Sequence, residues 1–148
     1  MSEPAHVLVV AHQTAATPAL LDAVGERARR GRATFHLVVP RNAHGMHRVV
    51  DPEDAGEDEA TRVLAQALPM LSEVAGQPVT GSTGDAEPLM AIHDAINLGH
   101  FDEIIISTLP RRVSRWLRLD LVSKTKGLGL PVTHVEATST AESPAGVA

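Results

Sequence analysis

The sequence predicts a parallel α/β sheet with helices on both faces, and three observations carry that prediction. Two apolar runs, "VLVV" at 7–10 and "IIIS" at 104–107, do not alternate with polar residues. Strands covered on both faces read that way, because neither side of the pleat meets water. Segments with helical spacing of apolar residues lie between the strand candidates, so the chain reads βαβαβαβαβ. Such alternation implies parallel strands joined by right-handed crossovers.

The elements follow in order. "HVLVVA" (6–11) is the first strand. A helix is expected over 17–30: Thr17 can cap it, Pro18 suits its first turn, Leu21, Val24 and Ala28 share a face, and Gly31 ends it. "TFHLVV" (34–39) is the second strand, closed by Pro40. A long apolar stripe from Ala60 to Val74 marks a helix over 57–75, in which Pro69 should make a kink. "PVTGST" (78–83) is a weaker third strand, and Asp85 is positioned to cap a helix over 86–98. "EIIIS" (103–107) is the fourth strand. One helix is expected over 114–127, with Ser114 as its N-cap, and "PVTHVEA" (131–137) closes the sheet. Residues 1–137 thus form one α/β domain, and 138–148 read as a disordered tail.

Composition narrows the function classes. The chain has 148 residues, of which 43% are hydrophobic and 21% charged, as in ordinary globular domains. No apolar run nears the ~20 residues that span a bilayer, and "MSEPAHVLVVA" lacks the flank and cleavage site of a secretory signal. A cytoplasmic protein without membrane contact is expected. The absence of cysteine excludes disulfides, thiolate zinc sites and cysteine nucleophiles. Aromatic residues are 2% and the net charge is −5, so nucleic acid is not an expected partner. The charge is uneven, however. Residues 111–126 hold four arginines and two lysines against Asp120 alone, whereas "DPEDAGEDE" (51–59) carries six acids.

Ligands of parallel α/β sheets bind beyond the carboxyl ends of strands, where the strand order reverses. The loops after the first and fourth strands are therefore the candidate site. They contain "HQTAAT" (12–17) and "STLPRRVSRWLRLDLVSK" (107–124).

These motifs resemble the universal stress protein family over roughly residues 5–137. The turn after strand one matches the family's first element, "GDAEPLMAI" (84–92) its second, and "GLPVTHV" (129–135) its closing strand. The family's glycine-rich phosphate loop keeps its spacing here, but its glycines fall on Ser107, Pro110 and Asp120, and its adenine-contacting aspartate falls on His12. The resemblance implies a Rossmann-like fold with strand order 3-2-1-4-5 and a homodimer paired through the strand at 131–136. It does not imply ATP binding in the family's manner. Glycine lets backbone amides approach phosphates, whereas Pro110 removes a donor and Asp120 adds negative charge.

The candidate ligand-binding residues are Ala11, His12, Thr14, Ser107, Thr108, Arg111, Arg112 and Ser123. His12 is either a ligand contact or a turn residue. Thr14 and Thr17 correspond to family hydroxyls, and helix capping is the simpler role for both. Arg111 and Arg112 have the guanidinium geometry that grips phosphate. Trp116 reads as packing onto the sheet. His36 and His134 read as core or interface residues, and His44 and His47 as loop residues rather than metal ligands. There is no Gly-x-Ser-x-Gly elbow, His-Glu-x-x-His pair or Walker loop. The expectation is a binding or regulatory module in stress response, not an enzyme and without a resident cofactor. The alternative is a protein that holds ATP or another phosphorylated ligand, as a binder or a slow hydrolase.

Overall fold

The structure, a computed structural model, describes residues 3–41 and 52–137. The expected tail, the 44–47 histidine pair and most of the acidic stretch lie outside the described residues or their side chains. Five strands form one sheet: β1 (Ala5–Val10), β2 (Ala33–Pro40), β3 (Thr80–Gly84), β4 (Glu103–Thr108) and β5 (Val132–Glu136). Their order is β3-β2-β1-β4-β5 and every pairing is parallel, as the sequence predicts.

Helices α1 (Pro18–Arg30) and α2 (Pro52–Ala75) cover one face of the sheet. Val7, Val9, Phe35, Leu37, Val39 and Ile105 meet Leu20, Val24, Ala67 and Leu71 there. The other face carries α3 (Pro88–Leu98), α4 (Arg115–Arg118) and α5 (Leu121–Lys126). On that side Leu8, Val10, Val38, Ile104 and Ile106 pack with Ala91, Ile92 and Leu121. Consecutive residues of β1 and β4 thus enter opposite core layers, which is why their sequences do not alternate. Each large side chain buried in this way contributes roughly 1.5–3 kcal/mol.

The weak strand β3 is explained by its neighbours. A Cβ on Gly81 would lie 2.6 Å from Leu64 Cδ1, and one on Gly84 2.9 Å from Ala91 Cβ. Glycine at these positions lets α2 and α3 sit close against the sheet edge.

Several local expectations are corrected. Helix α2 begins at Pro52, well before residue 57, and proline suits a first helical turn. It continues through Pro69, whose ring is exposed. Thr17 occupies the N-cap position of α1 but makes no cap hydrogen bond; its hydroxyl donates to Thr14 O at 2.9 Å. Asp85 does not cap α3, whose N-cap is Glu87. Instead Asp85 Oδ1 accepts from Glu87 N at 2.9 Å and closes the preceding turn. The single helix expected over 114–127 is two, broken at Asp120, which has φ 62° and ψ 33°. Leu119 and Asp120 close α4 through their amides, and the left-handed residue redirects the chain. Trp116, Leu121 and Val122 then all reach the second core layer across the break.

Candidate functional site

The sheet reverses its winding between β1 and β4, so their carboxyl ends splay the following loops apart. A cleft of about 360 Å³ opens there, lined also by residues that follow β2 and β3. Its volume lies at the small end of ligand sites.

At the bottom of the cleft a hydroxyl pair joins the two central strands. Thr14 Oγ1 and Ser107 Oγ are 2.6 Å apart, and both residues are buried. Sequence reasoning favours a cap for Thr14; its hydroxyl faces Ser107 instead. Two hydroxyls bring two hydrogens, and the bond between them uses one. His12 is next in the wall. Its Nε2 is buried without a hydrogen-bond partner among the described residues. Burial holds its pKa below the ordinary 6.5, and the charge of Glu59 offsets this only in part, so the ring is neutral at neutral pH.

Thr108 extends the wall and ties it to the sheet edge. Its hydroxyl donates to Leu109 O at 2.9 Å, and His134 Nε2 lies 2.9 Å from the same oxygen. With its one hydrogen committed to Leu109, Thr108 accepts from His134, which fixes the Nε2–H tautomer of the ring. Burial lowers the His134 pKa, Glu136 raises it, and Arg111 and Lys126 lower it further.

Three residues of the loop after β4 have no free backbone donor. Pro110 has none. Arg111 N donates to Glu136 Oε2 at 2.6 Å, and Val113 N donates to Pro110 O at 2.9 Å. Ser114 caps α4 by accepting from Leu117 N at 3.1 Å. Helix α4 then brings Arg115, Trp116 and Arg118 to the cleft, and Arg41 comes from the end of β2.

The structure therefore brings together His12, Thr14, Ser107 and Thr108 and leaves four other candidates outside. Ala11 is fully buried in the first core layer. Arg111 and Arg112 are exposed beyond the cleft, and Ser123 is exposed on α5. Arg41, Arg115 and Arg118 are the cleft residues that sequence reasoning missed. The i, i+3 spacing of Arg115 and Arg118 after a serine cap is the signal that could have paired them. Trp116 packs in the second core layer, as the sequence predicts, and also lines the cleft. Among the described residues no cluster of three or more potential metal ligands occurs, and no helix is long and apolar enough to cross a membrane.

Strand order and cleft position define a doubly wound α/β fold with a cleft at its switch point. Solved structures specify the class further. The universal stress protein from Archaeoglobus fulgidus superposes with a TM-score of 0.58 at 18% identity, over 88% of this chain and 93% of that one. The structure of the Archaeoglobus fulgidus universal stress protein in complex with dAMP gives 0.55 at 19% identity, over 91% and 99%. A universal stress protein in complex with cAMP gives 0.56 at 12% identity, over 93% and 99%. No family model and no curated protein matches the sequence. The fold of this chain is universal-stress-protein-like.

Proposed function

We propose that this chain is a universal-stress-protein-like binding module that takes a small phosphorylated ligand, of mononucleotide size, in the cleft between β1 and β4, and performs no chemistry on it. The observation that carries this reading is the cleft itself, placed at the switch point and walled by hydroxyls, a neutral imidazole and arginines. The structural neighbours bound to dAMP and cAMP support the same ligand class. ATP held along the loop after β4 does not fit the reading, since the amides of Arg111 and Val113 are already committed and Pro110 has no amide hydrogen. A regulatory role in stress response, inside the cytoplasm, accords with the fold.

The test is calorimetry and thermal shift with adenosine, AMP, cAMP, ADP and ATP. A ligand at ~100 times its Kd adds roughly 2.7 kcal/mol of stability. The reading expects a response to AMP or cAMP that ATP does not exceed. Tighter binding of ATP than of AMP, or turnover of ATP, would overturn it.

A homodimer through β5 belongs to the same proposal. β5 pairs only with β4 among the described strands, and such an edge invites a second copy. Pro131 O and Ala137 N bond to β4, so backbone alternation turns the amides of Val132, His134 and Glu136 toward the open edge. Sedimentation at micromolar concentration should show a dimer that Val132→Pro weakens. A monomer, or a dimer indifferent to that change, would place the contact elsewhere or remove it.

A further inference from the structure

The cleft differs in charge from the protein that surrounds it. The chain carries −5 overall. Among the described residues, three arginines and no carboxylate line the cleft. Two of the three, Arg115 and Arg118, project from α4 one helical turn apart, and neither has an ion-pair partner among the described residues. Elsewhere arginines find acids: Arg27 is paired with Glu103 at 2.7 Å and Arg29 with Glu26 at 2.9 Å. Arg41 stands at the end of β2 and lines the same space. The guanidinium groups of Arg115 and Arg118, beside a cleft with no carboxylate among its described lining residues, suit a phosphoryl group. The neighbouring loop offers fewer such donors, because Pro110 has no amide hydrogen and the amides of Arg111 and Val113 are already bonded.

We propose that Arg115 and Arg118 are the anion-recognition residues of this cleft, and that they take over from backbone amides the task of holding the ligand's phosphate. The inference rests on the binding function above and specifies which side chains determine ligand choice. The ligand is a phosphomonoester or phosphodiester with a small organic part. Its organic part faces the Thr14–Ser107 pair and His12, and its phosphate faces α4. Trp116 lies between the two arginines in sequence and lines the cleft, so it reports occupancy. It is the only tryptophan in a chain without tyrosine, so its emission can be read without interference.

The experiment is a Trp116 fluorescence titration of the full chain with AMP, ribose 5-phosphate, inorganic phosphate and adenosine. It is run on the native protein, Arg115→Ala, Arg118→Ala, Arg118→Lys and the remote control Arg29→Ala. Both arginines are exposed, so all variants should keep the native melting temperature. AMP should bind about 10-fold more weakly to each alanine variant, which is roughly 1.4 kcal/mol. Arg118→Lys should keep part of the affinity, and Arg29→Ala all of it. Adenosine should bind more weakly than AMP to the native protein and equally to all variants. Raising salt from ~0.1 to ~1 M, which shortens the Debye length from about 10 to about 3 Å, should weaken AMP binding and leave adenosine unaffected. Ribose 5-phosphate equal to AMP would identify the phosphorylated sugar as the recognised unit, and inorganic phosphate equal to AMP a free anion; either supports the arginine site. AMP binding unchanged in both alanine variants would overturn the arginine assignment while leaving the binding function intact. Failure of every compound to bind would overturn both.

Discussion

The hydroxyl pair at the bottom of the cleft yields a quantitative test. Thr14 Oγ1 and Ser107 Oγ are buried and 2.6 Å apart. Thr14→Val keeps the shape and removes one partner, leaving Ser107 with a buried hydroxyl and no protein partner among the described residues. An unsatisfied buried hydroxyl costs about 1–3 kcal/mol, whereas removing both partners approaches neutrality. Thr14→Val and Ser107→Ala should therefore each destabilise by ~1–2 kcal/mol, and the double variant by about as much as one of them. Urea denaturation measures this. With a slope of ~2 kcal/mol per M, each single change lowers the midpoint by ~0.5–1 M. Additivity of the singles within ~0.5 kcal/mol would refute the pairing. The same cycle bears on binding. The hydrogen not used between the two oxygens is the one available to a ligand, so Thr14→Val should weaken AMP while preserving the fold. Undiminished AMP affinity would remove the pair from the site.

Other outcomes follow from the fold. Gly84→Ala drives a Cβ to 2.9 Å from Ala91 Cβ and 3.0 Å from Val38 Cγ1, so it should cost ~1–3 kcal/mol in a thermal melt. Asp120→Gly removes left-handed strain at φ 62° and should be neutral or stabilising by up to ~1 kcal/mol, whereas Asp120→Val should destabilise; the opposite order would refute the strain. Burial lowers the pKa values of His12, His36 and His134 below 6.5. The unfolded chain then binds more protons, so stability is complete above pH ~6.5 and falls as pH drops through that value; denaturation at pH 7.5 and 5.5 checks it. Arg27 grips Glu103 with Nε and one terminal nitrogen at the amino end of β4, opposite the end that borders the cleft, so Arg27→Ala should lower stability by ~1.5–3 kcal/mol and leave AMP affinity unchanged.

The sheet was legible in the sequence because β1 and β4 are buried on both faces, and burial leaves an unbroken apolar run. Helix ends were less legible. Asp85 and Thr17 carry capping side chains, yet each bonds within the adjoining turn. The residue types that cap helices also close turns, and local sequence does not separate the two. His12, Thr14, Ser107 and Thr108 were accessible because strand ends at a switch point follow from topology. The arginines were not. Their place in the cleft depends on how the chain folds after β4 and β2, whereas the sequence shows only one helix expected over 114–127 with Ser114 as its cap. On that reading Arg111 and Arg112, nearest the strand in sequence, appear nearest the ligand. In the fold the Arg111 amide turns outward to Glu136.

Asp120 connects these observations. Its backbone has the positive φ that glycine adopts most readily. The left-handed turn at Asp120 serves a purpose in this fold other than lending amides to a phosphate. That purpose is to end α4 after one turn. The short helix holds Arg115 and Arg118 over the cleft, and α5 can start again against the core through Leu121. Aspartate is among the few non-glycine residues that tolerate this conformation at modest cost. A loop that binds through its backbone needs small residues, because the ligand must approach the chain closely. A loop that binds through long side chains needs only a fixed helix to carry them, and residues such as Pro110 and Asp120 are then admissible beside the ligand.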